Sequence, residues 1–166
     1  MNADSNFSAE GGCACGEVRY RLTRAPLFVN CCHCRSCRRE TGAAFALNAL
    51  IETAAVEVLS GAPQAVDTPS ESGKGQRIVR CRSCRVALWS HYGGAGAHLA
   101  FIRVGALDDP ARFPPRIHIY TASKLPWVQL PPDVPSTPAF YSRREHWPAD
   151  SLARLQRMTD GGRRRR

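Results

Sequence analysis

Cys31-Cys-His-Cys-Arg-Ser-Cys37 places four cysteines within one short run, and Cys13-Ala-Cys15 and Cys81-Arg-Ser-Cys84 supply the other four of the eight in the chain. Alternate side chains of an extended segment share a face, so the C-x-C spacing turns Cys13 and Cys15 toward one point. Cys81 and Cys84 have the C-x-x-C spacing of a tight metal-binding turn, and two such pairs complete a closed, all-cysteine tetrahedron for a structural zinc. The middle run repeats both spacings. Cys32, Cys34 and Cys37 can surround a second ion, and three protein ligands leave a fourth position for water or substrate, which makes this the functional candidate. Cys31, next to Cys32 in an extended segment, points the other way and is read as a spare thiol.

One alternative remains at this level: every cysteine is structural, with His33, Cys31 or another side chain closing the second site. His33 falls between two ligands and faces the opposite side of a strand, which favours packing or support of a ligand over ligation. His91, His98, His118 and His146 follow no ligand spacing with the clusters and are read as structural.

A chain of 166 residues with 43% hydrophobic and 22% charged residues has the composition of one globular domain. It contains no apolar run long enough to cross a bilayer. The first residues, MNADSNFSAEGG, show neither the basic segment nor the apolar core of a secretory signal, which predicts a cytoplasmic protein. In a reducing cytosol closely spaced cysteines are metal ligands more often than disulfides. The net charge of +9 is uneven: residues 141–166 hold eight arginines against three acids (Glu145, Asp150, Asp160), leaving +4 for residues 1–140. Seven thiolates on two Zn2+ lower that remainder to about +1, which argues against a broad nucleic-acid-binding face.

The periodicity is mainly β. Val18, Tyr20 and Leu22 alternate with Arg19 and Arg21 as in a half-buried strand, and 27–31, 44–51, 55–59, 77–80, 86–91, 99–104 and 116–120 are further short strands. Ser36–Thr41 is the one short helix before residue 140. Residues 1–10 are expected to be mobile, 11–130 to form the domain, and 131–166 to form a Pro-rich linker, a helix and an Arg-rich tail. That helix starts at Pro148, carries Leu152, Leu155 and Met158 on one stripe, and ends at Gly161-Gly162. Pro69–Gln76 is rich in turn formers and is read as a surface loop without chemistry.

Five ordered motifs resemble the glutathione-dependent formaldehyde-activating enzyme family, also called the centromere-protein-V-type domain. They are Gly11-Gly-Cys-Ala-Cys-Gly-Glu-Val-Arg-Tyr20, Cys32-His-Cys-Arg-Ser-Cys-Arg-Arg-Glu-Thr-Gly42, Cys81-Arg-Ser-Cys84, Val104-Gly-Ala-Leu-Asp-Asp-Pro110 and His118-Ile-Tyr-Thr-Ala-Ser-Lys-Leu-Pro-Trp127. The resemblance implies a small, mainly β, antiparallel-sheet zinc fold with a short helix after the middle cluster; the helical C-terminal extension lies outside it. It also implies two Zn2+, a structural one on Cys13, Cys15, Cys81 and Cys84 and a catalytic one on Cys32, Cys34 and Cys37. The implied reaction joins glutathione to formaldehyde as S-(hydroxymethyl)glutathione, a carbon–sulfur lyase reaction run in reverse. Arg85 departs from the pattern, because the family commonly has Gly after that C-x-x-C turn, where positive φ costs Gly little.

On this reading a thiolate held at the Cys32/Cys34/Cys37 zinc attacks an aldehyde carbon. Arg35, Arg38, Arg39 and Lys124 are the candidate partners of the glutathione carboxylates, since Arg presents paired donors to a carboxylate. Tyr120 and Trp127 either line a pocket or pack in the core. One competing reading is a non-catalytic, zinc-stabilised binding module that contacts nucleic acid or an acidic partner through its Arg-rich tail; another keeps the open zinc but changes the substrate to another thiol adduct or small electrophile.

Overall fold

The computed structural model describes residues 7–163; most of the N-terminal stretch expected to be mobile, and Arg164–Arg166 of the basic tail, lie outside the described residues. The strands are β1 (Ala9–Gly12), β2 (Arg19–Leu22), β3 (Phe28–Cys32), β4 (Ala46–Glu52), β5 (Val56–Ser60), β6 (Gln64–Thr68), β7 (Gln76–Arg80), β8 (Ala87–Tyr92), β9 (Leu99–Arg103) and β10 (His118–Ile119). Three α-helices accompany them: α1 (Arg35–Thr41), α2 (Arg143–His146) and α3 (Ala149–Arg163). One sheet runs β10-β3-β4-β9-β8-β7-β6 and a smaller one runs β1-β2-β5. Every pairing is antiparallel except β10 with β3. No helix among the described residues is long and apolar enough to cross a membrane.

β2 shows the expected alternation: Tyr20 and Leu22 are fully buried, while Arg19 and Arg21 reach out to ion pairs with Asp108 and Glu10. β3, β4 and β9 read instead as nearly continuous apolar runs, because the large sheet is covered on both faces. Val29, Ala49, Ile51, Ala100 and Ile102 pack into one core with Tyr20, Trp89, Cys13 and Cys81. Their alternating neighbours Phe28, Leu50, Leu99 and Phe101 pack into another with Cys32, Cys34 and Cys37. The two cysteine clusters thus belong to opposite faces of the sheet.

Three expectations need correction. Residues 9 and 10 are not loose: β1 pairs with β2 in register Ala9↔Leu22 to Gly12↔Arg19, and Gly11 lies so close to the Ala106 carbonyl that a Cβ would meet it at 2.5 Å. β6 was not legible, because it is an edge strand with four exposed residues and so has no buried stripe to reveal it.

The third concerns residues 131–160, which are packed against the body. His118 N–H donates to the Pro135 carbonyl at 2.8 Å and Tyr120 N–H to that of Ala139 at 3.0 Å. Tyr141 and Trp147 are buried on Phe28, and Trp147 Nε1 donates to the Tyr141 hydroxyl at 2.9 Å. Leu152, Leu155 and Met158 of α3 close the same core. The helix follows Pro148 as expected but continues through Gly161-Gly162 to Arg163.

α3 is tied to β4 by a buried ion pair, with Arg154 Nε and Nη2 donating to the Glu52 carboxylate at 2.9 and 2.7 Å. Burial alone would raise the Glu52 pKa, but the Arg154 hydrogen bonds, a backbone N–H and the Arg154 and Arg24 charges outweigh it and lower the value. A depressed folded-state pKa contributes stability above the unfolded value near 4.3, and that stability is lost as pH falls through the folded value. Arg154→Ala leaves this carboxylate buried with only Arg24 nearby, so it should cost about 3 kcal/mol at pH 7. Denaturant titration at pH 7 and pH 4 should show the deficit shrinking on acidification; an equal deficit at both would remove the ion pair as its cause.

Candidate metal centre

The sulfurs of Cys13, Cys15, Cys81 and Cys84 lie within 4.8 Å of one another. Cys13 and Cys15 are 3.4 Å apart and Cys15 and Cys81 3.7 Å, against edges of about 3.8 Å in a tetrahedron with 2.3 Å zinc–sulfur bonds. Backbone donors support the anionic form: Val18 N–H points at Cys13 Sγ at 3.3 Å, and the N–H groups of Val86 and Cys15 pull Cys84 down to about 6. All eight cysteines are free thiols, so no disulfide competes for them. The donor set fits a closed zinc site. Arg85, just after the turn, has φ 63°, the left-handed conformation that its glycine-like position predicts. Its carbonyl accepts from Arg80 Nη1 at 3.1 Å, and Arg80 is itself paired with Glu40.

Cys32, Cys34 and Cys37 also bring three sulfurs within 4.8 Å, all buried. Local structure explains the convergence. Cys32 ends β3, Cys34 is the extended N-cap of α1, and Cys37 N–H donates back to Cys34 Sγ at 3.3 Å. Gly42 ends the helix at φ 65°. The protons are shared unequally: contacts with Cys32 and then Cys37 draw Cys34 down to about 3, helped by the N–H groups of Cys37 and Ser36, while the same cluster pushes Cys32 up. Such a cluster retains a thiolate, the form that binds metal.

No fourth Cys, His, Asp or Glu joins this trio among the described residues. Cys31 and His33, the two neighbours considered for closing it, group with His118 on the other side of β3. Cys31 Sγ is 3.6 Å from His33 Nε2, which lies 3.0 Å from His118 Nδ1. Burial first, and then the neighbouring His118, pushes His33 down to about 4, so His33 is uncharged at neutral pH; burial lowers His118 as well. Spacing could not reveal the partnership, because His33 and His118 lie 85 residues apart and meet only through the β10–β3 pairing.

The trio opens onto a cavity of about 310 Å3. Tyr92, Phe101, Ile119, Tyr120 and Phe140 contribute its apolar lining, and the Tyr92 hydroxyl is 3.9 Å from Cys37 Sγ. Tyr120 sits there with φ 54°, a strained conformation of the kind concentrated at functional sites. Beneath the lining, Arg103 donates to Asn48 and, at 3.0 Å, to Ser90 Oγ.

The loop over 69–76, expected to be chemically idle, supplies Ser70, Glu71, Ser72, Lys74 and Gln76 to this cavity. Glu71 accepts from Ser36 Oγ at 3.0 Å. By contrast, none of Arg35, Arg38, Arg39 and Lys124 lines it. Arg35 and Arg39 are exposed on α1, and Lys124 Nζ is spent on the Val128 carbonyl at 2.7 Å. Trp127 is 70% exposed and does not line this cavity, whereas Tyr120 does. Sequence reasoning missed Tyr92, Asn30, Asn48 and Arg143, which stand outside any motif.

Residues 8–123 match the family model described as "Glutathione-dependent formaldehyde-activating enzyme". The chain belongs to this family. A Halomonas elongata protein named "Putative glutathione-dependent formaldehyde-activating enzyme" is 32% identical over 128 residues, 73% of this chain and 80% of that one. The crystal structure of a Rhodobacter sphaeroides protein aligns at TM-score 0.46 with 19% identity, over 77% of this chain and 99% of the other; so loose a likeness adds no weight. Both cysteine clusters fall inside the matched segment of the formaldehyde-activating family, while Phe140 and Arg143 fall beyond it.

A non-glycine residue at positive φ costs roughly 1–2 kcal/mol, partly offset by the greater freedom glycine regains on unfolding. Arg85→Gly should therefore stabilise the zinc-loaded protein by about 0.5–1 kcal/mol in a denaturant titration with zinc content unchanged. A loss of stability would mean that the Arg85 side chain contributes more than its backbone costs.

Proposed function

We propose that this chain catalyses the condensation of glutathione with formaldehyde to S-(hydroxymethyl)glutathione, and the reverse carbon–sulfur cleavage. The observation that carries the reading is a three-cysteine cluster that no fourth Cys, His, Asp or Glu joins among the described residues, opening onto a cavity large enough for a small peptide thiol. Family membership supports the choice of substrates.

Zinc held by Cys32, Cys34 and Cys37 would supply a Lewis-acidic centre that keeps a bound thiol ionised near neutral pH. The protein's own residues do the rest. In the forward direction a carbon–sulfur bond forms, the carbonyl π pair moves onto oxygen, and that oxygen takes up the proton the thiol gave up. Burial, and then the nearby Cys37, pushes the Tyr92 hydroxyl well above its ordinary range, so it stays protonated as a hydrogen-bond donor beside the cluster. That hydroxyl is positioned to stabilise charge developing on the aldehyde oxygen. The buried Phe101 and Ile119 limit water beside the cluster, which strengthens such contacts. The closed Cys13/Cys15/Cys81/Cys84 site acts only by holding β1's end against the 81–84 turn.

Zinc-loaded protein should accelerate thiohemiacetal formation above the spontaneous rate, and Cys34→Ser should return it to that rate while keeping its fold. Exchange between free and hydroxymethylated glutathione, followed by NMR at equilibrium, measures this directly. Equal exchange with and without wild-type protein would eliminate the reading.

A further inference from the structure

The cavity has two cationic groups that no motif announced. Arg143 opens α2 and is held beside the cavity by stacking on Trp147, its guanidinium carbon 5.6 Å from the ring centroid. Its Nε is buried with no hydrogen-bond acceptor. Lys74 comes from the loop between β6 and β7. Neither makes an ion pair with an acid among the described residues, although Arg19, Arg21, Arg77, Arg80 and Arg154 all do. The acid in the same loop, Glu71, is engaged by Ser36. The cavity thus combines a thiolate cluster, apolar walls, the Ser36-bound carboxylate of Glu71 and two cations that make no ion pair among the described residues.

A small neutral aldehyde needs no cation, and a lone thiol group needs none either. A buried guanidinium N–H without an acceptor is costly unless a ligand satisfies it, and the guanidinium fork matches a carboxylate. Arg143 also reaches the site from a segment beyond the family match. The packing of Tyr141, Trp147 and α3 on the core explains how that segment is held rigidly enough to present it.

We propose that the C-terminal extension completes the substrate site: Arg143, assisted by Lys74, binds a carboxylate of the thiol substrate, so that the cavity selects carboxylate-bearing peptide thiols over small neutral thiols. This rests on the thiol-binding reading above. It assigns the extension a role in specificity and moves the carboxylate contacts from α1, where the sequence suggested them, to α2 and the loop over 69–76.

Direct binding separates this proposal from the catalytic one. Full-length zinc-loaded protein is titrated calorimetrically with S-methylglutathione, whose capped sulfur leaves the carboxylates as the probe, and with its diethyl ester. The free acid should bind wild type at least about ten-fold more tightly than the diester. Arg143→Ala should lose most of that preference, Arg143→Lys should retain part of it, and Lys74→Ala, in a separate exposed loop, should reduce it independently. Zinc content checks that each variant is folded; should Arg143→Ala lose its zinc, Arg143→Lys and Lys74→Ala decide the matter. Wild type that binds neither compound, or binds both equally, overturns the proposal, as do variants with undiminished preference. Absence of formaldehyde-dependent exchange alongside an Arg143-dependent preference would instead remove the catalytic reading and leave this one standing.

Discussion

Burial of both faces of β3, β4 and β9 is the constraint from which the rest of the structure follows. A strand covered on both sides sends each successive residue into a different environment, so one step along the chain decides a side chain's chemistry. Cys31 and Cys32 show it most directly. Cys32 turns into the cavity with Cys34 and Cys37, while Cys31 turns toward His33 and His118. The same alternation along β4 sends Asn48 to the cavity and Ala49 into the other core. A shift of register by one residue would exchange the two faces and dismantle both groups.

The surroundings of the two cysteine clusters differ in charge and access. The Cys13/Cys15/Cys81/Cys84 set has four donors: strand and turn spacing converges each pair, and packing in one core brings the two pairs together. It costs the chain a strained residue, Arg85, at the exit of the turn. The Cys32/Cys34/Cys37 set has three donors, the N–H groups that begin α1, and a cavity walled by aromatic side chains. Cations gather around it in layers: Arg103 buried beneath, Arg143 and Lys74 on the lining. Negative charge on sulfur is stabilised there without a base of its own, and the surrounding positive charge suits a substrate that brings carboxylates.

What was legible in the sequence was whatever depends on local geometry. C-x-C and C-x-x-C spacings encode which sulfurs converge, and the alternation around Tyr20 and the short helix after Cys34 follow from backbone periodicity alone. Arg85 at positive φ was legible for the same reason. Features that depend on distant segments were not. β6 escaped because an exposed edge has no buried stripe, and β1 because Gly11-Gly12 gives no alternation. The His33–His118 contact and the cavity lining escaped because the pairing of β10 with β3, and the folding of residues 131–160 onto Phe28, are not written in any spacing. Charge near a motif also proved a poor guide to charge at the site: Arg35 and Arg39 flank ligands in sequence but project from the outer side of α1, whereas Arg143 lies more than a hundred residues from Cys37 and lines the same cavity.

The two proposed zinc sites lie on opposite faces of one sheet, a closed one assigned to supporting the fold and an open one assigned to the chemistry. Zinc content per folded chain, measured by mass spectrometry under native conditions for wild type and Cys34→Ser, tests this assignment most directly. Wild type should carry two zinc ions and Cys34→Ser one, with the fold retained. One zinc in both would contradict it, as would a Cys34→Ser protein that loses both ions together.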